Sequence, residues 1–259
     1  MLMDINELRE FLEATEDAHE VRQVLKTYGF LPHKDALPTP QEKERVHKWG
    51  SKEEKQHIFA ELGWYAQDLA KIGLYEKAIE ITQLITDPDI KGQVFCGIAS
   101  ILSESNNIQE AINILKNIDT TLAYYEAFIT QISTLIEIAG KCVELNKSSE
   151  MSEALLSAEQ LIAECNDEDV HKSRFINELA YLYMSTGNKE KAISLWDKYL
   201  SIVLSRIKSN KSYFCDMSDL AAVILNIARL GEQEKAKLLI PNVLCANLRT
   251  HLNKVLNPK

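Results

Sequence analysis

Side chains able to do chemistry are sparse in this chain and poorly grouped. Six histidines (His19, His33, His47, His57, His171 and His251) read as scattered single residues, none expected to pair four residues on with a glutamate or another ligand, and so no metal site is expected. Five cysteines (Cys96, Cys142, Cys165, Cys215 and Cys245) also stand apart. Cys142 falls at a small-residue packing position, so the set reads as reduced core thiols rather than nucleophiles. The acid groups Glu53-Glu54 and Asp167-Glu168-Asp169 lie where helices should begin. There they complement the helix dipole and need no acid–base role. The sequence has no G-x-G-x-x-G, G-x-x-x-x-G-K-[ST] or G-x-S-x-G segment. The expectation is a chain that is not an enzyme and holds no metal or cofactor, with recognition as its mode of action.

Charge narrows the class of partner. The net charge is −9 and the pI near 5.3, the wrong sign for displacing counterions from nucleic acid. Lys235 to Lys259 runs against this trend, with five Lys/Arg and no acid. It reads as a solvated helix end, or less readily as a dock for an acidic partner. The start, MLMDINELREFLEA, lacks the basic and long apolar portions of a signal peptide, and no apolar run approaches the ~20 residues of a membrane span. A cytoplasmic protein that binds neither membrane nor nucleic acid is expected.

The elements that would position a binding surface are helical hairpins. The stretch Phe59 to Ile85 has apolar residues at 3–4 spacing, a glycine, then a second amphipathic run. Diverged copies follow. Aligned on Gly73, Asn106, Ser149, Gly187 and Gly231, each copy has an alanine five residues on: Ala78, Ala111, Ala154, Ala192 and Ala236. Seven residues before the turn stand Ala66, Ala99, Cys142, Ala180 and Ile224, small in four of the five. Two antiparallel helices approach within roughly 8–10 Å only where small side chains face each other, which this spacing supplies.

Other signals frame the array. Ile5, Leu8 and Leu12, then Val21, Val24, Leu25 and Tyr28, mark two short helices closed by Gly29. Two prolines in residues 30–38 make a link, and Thr39-Pro40-Gln41-Glu42 opens a polar helix ending near Gly50. Residues 1–50 are therefore predicted as an N-terminal helical arm, and 51–259 as a helical repeat domain. Ser51-Lys52-Glu53-Glu54 should cap its first helix, and Asp87-Pro88 should stop one helix and cap the next. After Pro241, Leu244, Leu248, Leu252 and Val255 mark a terminal helix covering the last hairpin.

The pattern resembles the tetratricopeptide (TPR) repeat family across residues 55–245. Leu179-Ala180, Tyr183, Gly187, Ala192 and Trp196 follow its order of small, large, turn, alanine and aromatic residues. The segments from Gly73 to Ala78, Gly187 to Ala192 and Gly231 to Ala236 are similar to its turn signature. Spacings of 33, 43, 38 and 44 residues depart from the family's repeat of about 34. The resemblance implies an all-α, TPR-like superhelix of about five hairpins, whose first helices line a concave wall. That wall would carry Gln67 and Lys71, Ser100, Ser103 and Glu104, then Asn146 and Lys147. Arg174, Asn177, Tyr181 and Met184 would follow, then Leu225 and Arg229. Arg174, Asn177, Tyr181 and Met184 make its richest strip, mixing aromatic, amide and cationic anchors. Gly63 and Gln67 stand where chaperone-tail-binding members carry Lys and Asn, so an acidic chaperone tail is not expected. Trp49 and Trp64 are expected to pack in the arm or hairpin. The implied function is a protein-interaction scaffold or adaptor gripping a protein or peptide segment. A partner-sensing regulator gated by the N-terminal arm is the second expectation.

Overall fold

A computed structural model describes residues 5–15, 18–30, 51–118, 125–166, 169–209 and 214–257. Among these, every regular element is helical, with thirteen α-helices and one 3-10 turn. Two compact units divide the chain, Met1–Ile138 and Ala139–Lys259. The predicted link and polar helix of residues 30–50 fall almost wholly outside the described residues, as do the side chains of the Ser51 capping box.

The first unit contains α1 (Ile5–Ala14), α2 (Ala18–Thr27), α3 (Ser51–Lys71), α4 (Tyr75–Gln83), α5 (Pro88–Glu104), α6 (Ile108–Lys116) and the larger part of α7 (Tyr125–Glu144). Helix α3 packs against α4 and α5, α5 packs against α6, and α2 lies on α3. Leu8, Leu12, Val21 and Leu25 are buried as their spacing predicts. The Lys55 ammonium donates to the carbonyls of Leu12 (2.6 Å) and Thr15 (2.7 Å), tying the end of α1 to α3.

The second unit contains the end of α7, then α8 (Ser148–Glu164), α9 (Val170–Ser185), α10 (Lys189–Lys208), α11 (Phe214–Arg229) and α12 (Gln233–Leu239). A 3-10 turn at Ile240–Asn242, containing Pro241, leads to α13 (Ala246–Leu256). Helices α9 and α10 form one hairpin and α11 and α12 another, with α13 against both helices of the latter. The terminal stripe is shifted from its prediction. Leu252 and Leu256 are buried, whereas Leu244 and Val255 are 56% and 48% exposed. The helix begins only at Ala246, after Leu244, and its buried residues Leu252 and Leu256 are four apart, so Leu256 rather than Val255 continues the stripe from Leu252.

One turn geometry recurs. Gly29, Gly73, Asn106, Asn146, Gly187 and Gly231 all have φ between 56° and 100°, in the left-handed region. Each donates its N–H to the carbonyl three residues back, and the next residue donates to the carbonyl five back, as in Leu74 N to Leu69 O (2.9 Å) and Asn188 N to Tyr183 O (2.9 Å). This is the Schellman closure, which satisfies carbonyls otherwise orphaned at a helix end. Four residues after the five hairpin turns' second residue, Ala78, Ala111, Met151, Ala192 and Ala236 donate the bond that starts the following helix.

The third copy corrects the sequence register. Its turn residue is Asn146, not Ser149, because asparagine tolerates left-handed backbone that serine rarely adopts. Measured from Asn146, the small residue seven back is Ala139, fully buried, and Met151 takes the position of the alanine. Ala154 is nonetheless without exposure, as are Ala78, Ala111, Ala192 and Ala236. Asp87 caps α5 as predicted, accepting from the N–H groups of Asp89 (3.0 Å) and Ile90 (3.1 Å). No described helix is long and apolar enough to cross a membrane.

Candidate functional site

In the first unit, α3, α5 and α7 border an open groove of about 420 Å³. Helix α3 contributes Ala60, Gly63, Trp64 and Gln67, which recur at 3–4 spacing and so share one face. Helix α5 contributes Gln93, Val94, Gly97 and Ser100, and α7 contributes Thr130, Ser133, Thr134 and Glu137. Two glycines shape this floor. A Cβ at Gly63 would collide with Val94, and one at Gly97 would collide with the Gln67 amide. Bare backbone at these points lets α3 and α5 approach and lets Gln67 lie across α5.

The groove joins one aromatic ring to a mostly uncharged polar lining. Trp64 is 62% exposed, which corrects the expectation that it packs internally. Glu137 is exposed and, among the described residues, is the single charged side chain in the lining. At the floor, burial pushes the Cys96 thiol up to about 12. A hydrogen bond with Thr134 opposes that rise, and the Glu137 charge adds to it. Cys96 is thus an inert, protonated wall, as its reading as a core thiol requires. The Gln93 amide donates to Asp89 (3.0 Å), and Asp89 in turn accepts from the Ala127 N–H (2.9 Å), fixing the start of α7 against α5.

The predicted wall residues divide between the two units. Gln67 and Ser100 line the groove just described. Lys71 and Glu104 are exposed final residues of α3 and α5, outside the groove lining, and Lys71 pairs with Asp68 (2.9 Å). In the second unit, the α9 strip is a connected network. The Trp196 indole donates to Asn177 Oδ1 (3.0 Å), and Tyr181 meets the same indole edge-on at 5.7 Å. The Asn226 amide donates to the Tyr181 hydroxyl (2.7 Å), and Arg229 donates to Asn226 Oδ1 (3.2 Å). Burial pushes the Tyr181 hydroxyl up, against the opposing Asn226 bond. Asn177 is 6% exposed, so its carbonyl serves the hairpin α9–α10. Arg174 is exposed and pairs with Glu178 (2.8 Å), and Met184 is half-buried.

A second cluster ties α8 to this hairpin. Tyr183 donates to Glu159 (2.7 Å), which also pairs with Lys191 (2.7 Å), while Lys191 lies over the Tyr183 ring at 5.6 Å. Burial, then Glu159, pushes the Tyr183 hydroxyl well up. A further groove of about 380 Å³ adjoins it, lined mainly by aliphatic side chains of α8, α9 and α10.

Two details correct the residue-level reading. His57 is not isolated: Glu61 stands four residues on, with a separation of 3.4 Å. Cys245 is exposed rather than a core thiol, whereas Cys96, Cys142 and Cys165 are buried. Among the described residues, no group of three or more His, Cys, Asp or Glu side chains gathers as a metal site. Comparison of the chain with protein-family models, with curated proteins and with solved structures finds no match.

Proposed function

We propose that this chain is a non-catalytic protein-interaction scaffold of tetratricopeptide-like plan, holding an extended segment of a partner protein in the α3–α5–α7 groove. The observation that carries this reading is Trp64, a large ring left exposed beside a row of hydroxyls and amides on three helix faces. A ring of this kind supplies contact area at small entropic cost, and the polar row can bond a peptide main chain. Helices already packed leave most of the ordering cost with the ligand. The recurrence of the left-handed turn in five copies, with a small residue at each packing position in four of the five, supports the superhelical TPR plan. The acidic balance and the buried thiols Cys96, Cys142 and Cys165 suit a cytoplasmic setting without cofactors.

Selection of dodecapeptides from a random displayed library against the whole chain tests the reading. Selected peptides should bind in fluorescence anisotropy, and Ser100→Trp, which fills the groove, should weaken them about tenfold or more. Lys71→Ala and Glu104→Ala, outside the groove lining, should leave them within about twofold. Peptides indifferent to Ser100→Trp would move the site elsewhere, and a library yielding no binder would reject the reading.

A further inference from the structure

The charge of the groove specifies what it grips, given that it takes a peptide segment as proposed above. Trp64 offers an exposed aromatic face, and among the described residues Glu137 supplies the one charged group in a lining otherwise made of amides, hydroxyls and apolar side chains. Glu137 and the Cys96 floor belong to the same lining, so its carboxylate stands at the groove rather than elsewhere on the surface. The surroundings carry the same sign: over residues 51–138 acids outnumber bases by 13 to 6. An acidic segment would meet repulsion there. A cationic side chain would gain from the ring quadrupole and from the carboxylate together, and the acidic field would steer its approach.

We infer that the groove captures a basic segment of a partner protein, seating an Arg or Lys side chain on Trp64 with Glu137 as its counter-charge. Gln67, Ser100 and Ser133 then bond the segment's main chain on either side. Gly63 lets α3 lie close to Val94 of α5, and Gly97 leaves room for the Gln67 amide across α5, so both glycines hold the floor under that chain in place. The face selects a planar or extended cation in a partly desolvated position, where Arg can stack and ion-pair at once.

Fluorescein-labelled peptide pools test this, each with random flanks and one fixed central residue: Arg, its neutral isostere citrulline, Glu or Leu. The whole chain should bind the Arg pool about tenfold more tightly than the citrulline pool, the scale of a partly desolvated cation–π contact, and the Glu pool least. Glu137→Gln and Trp64→Leu, both at exposed positions, should each bring Arg and citrulline to within about threefold of one another while the thermal unfolding midpoint stays put. Equal binding of Arg and citrulline pools by the wild-type chain would overturn the inference and leave the peptide-binding reading standing. Strongest binding of the Leu pool would overturn it in favour of an apolar anchor. A peptide of residues 246–259 bound more tightly than the Arg pool would replace the separate partner with a second copy of this chain. Binding of no pool would remove both the inference and the reading it rests on.

Discussion

At the scale of single residues, environment decides what a reactive group can do. Cys96 illustrates it: its thiol is pushed from 9.0 to about 12, chiefly by burial. The folded chain therefore holds that proton more tightly than the unfolded chain. Its contribution to stability is whole below about pH 9 and drains as pH rises from there toward about 12, because only the unfolded thiol ionises in that window. The slope approaches about 1.4 kcal/mol per pH unit for one thiol. Urea unfolding at pH 8, 9.5 and 10.5 should show a shallower alkaline decline for Cys96→Ala than for wild type. Parallel declines would show that this thiol is not titrating in the unfolded chain alone. Trp64 carries the opposite lesson. Its exposure was legible in principle, since it stands three residues before Gln67 on the same face of α3, yet the usual burial of tryptophan outweighs that spacing in a sequence reading. The bond between Asn226 and Tyr181 spans 45 residues, and no local periodicity encodes it.

At the scale of elements, the hairpins were the most legible feature because one backbone need recurs. Each turn places a residue at positive φ, and glycine or asparagine meets that need. The third turn escaped because Ser149 satisfies the alanine spacing by coincidence while Asn146 satisfies the backbone. Gly187 isolates the backbone contribution, since nothing lies within 4 Å of a Cβ placed there. Gly187→Ala should cost about 1 kcal/mol, as left-handed backbone does for a residue with a Cβ, and Gly187→Asn should cost less. Urea midpoints at constant m-value measure both. An alanine variant as stable as wild type would show that the turn does not depend on a residue free to adopt positive φ. The boundaries of α13 were less legible, because Pro241 signals a break but not that it sits in a 3-10 turn with the next helix starting only at Ala246.

At the scale of the whole molecule, contacts run between elements close in sequence. In the first unit, α3 meets α4 and α5. In the second, α9 meets α10 and α11, and α11 meets α12 and α13. Stability in such an array is a sum of hairpin terms and nearest-neighbour interfaces, so damage should stay local. Ala78 and Ala192, both without exposure, occupy equivalent positions in the two units. Replacing either by leucine inserts three methylene-sized groups where helices are in close contact and should cost roughly 1–3 kcal/mol. Hydrogen exchange followed by mass spectrometry reads where that cost falls. Ala78→Leu should speed exchange in α3 to α6 and leave α9 to α12 at wild-type rates, and Ala192→Leu should do the reverse. Uniform acceleration along the chain from either substitution would mean one cooperative body, and nearest-neighbour additivity would then be the wrong description of how this sequence holds its fold.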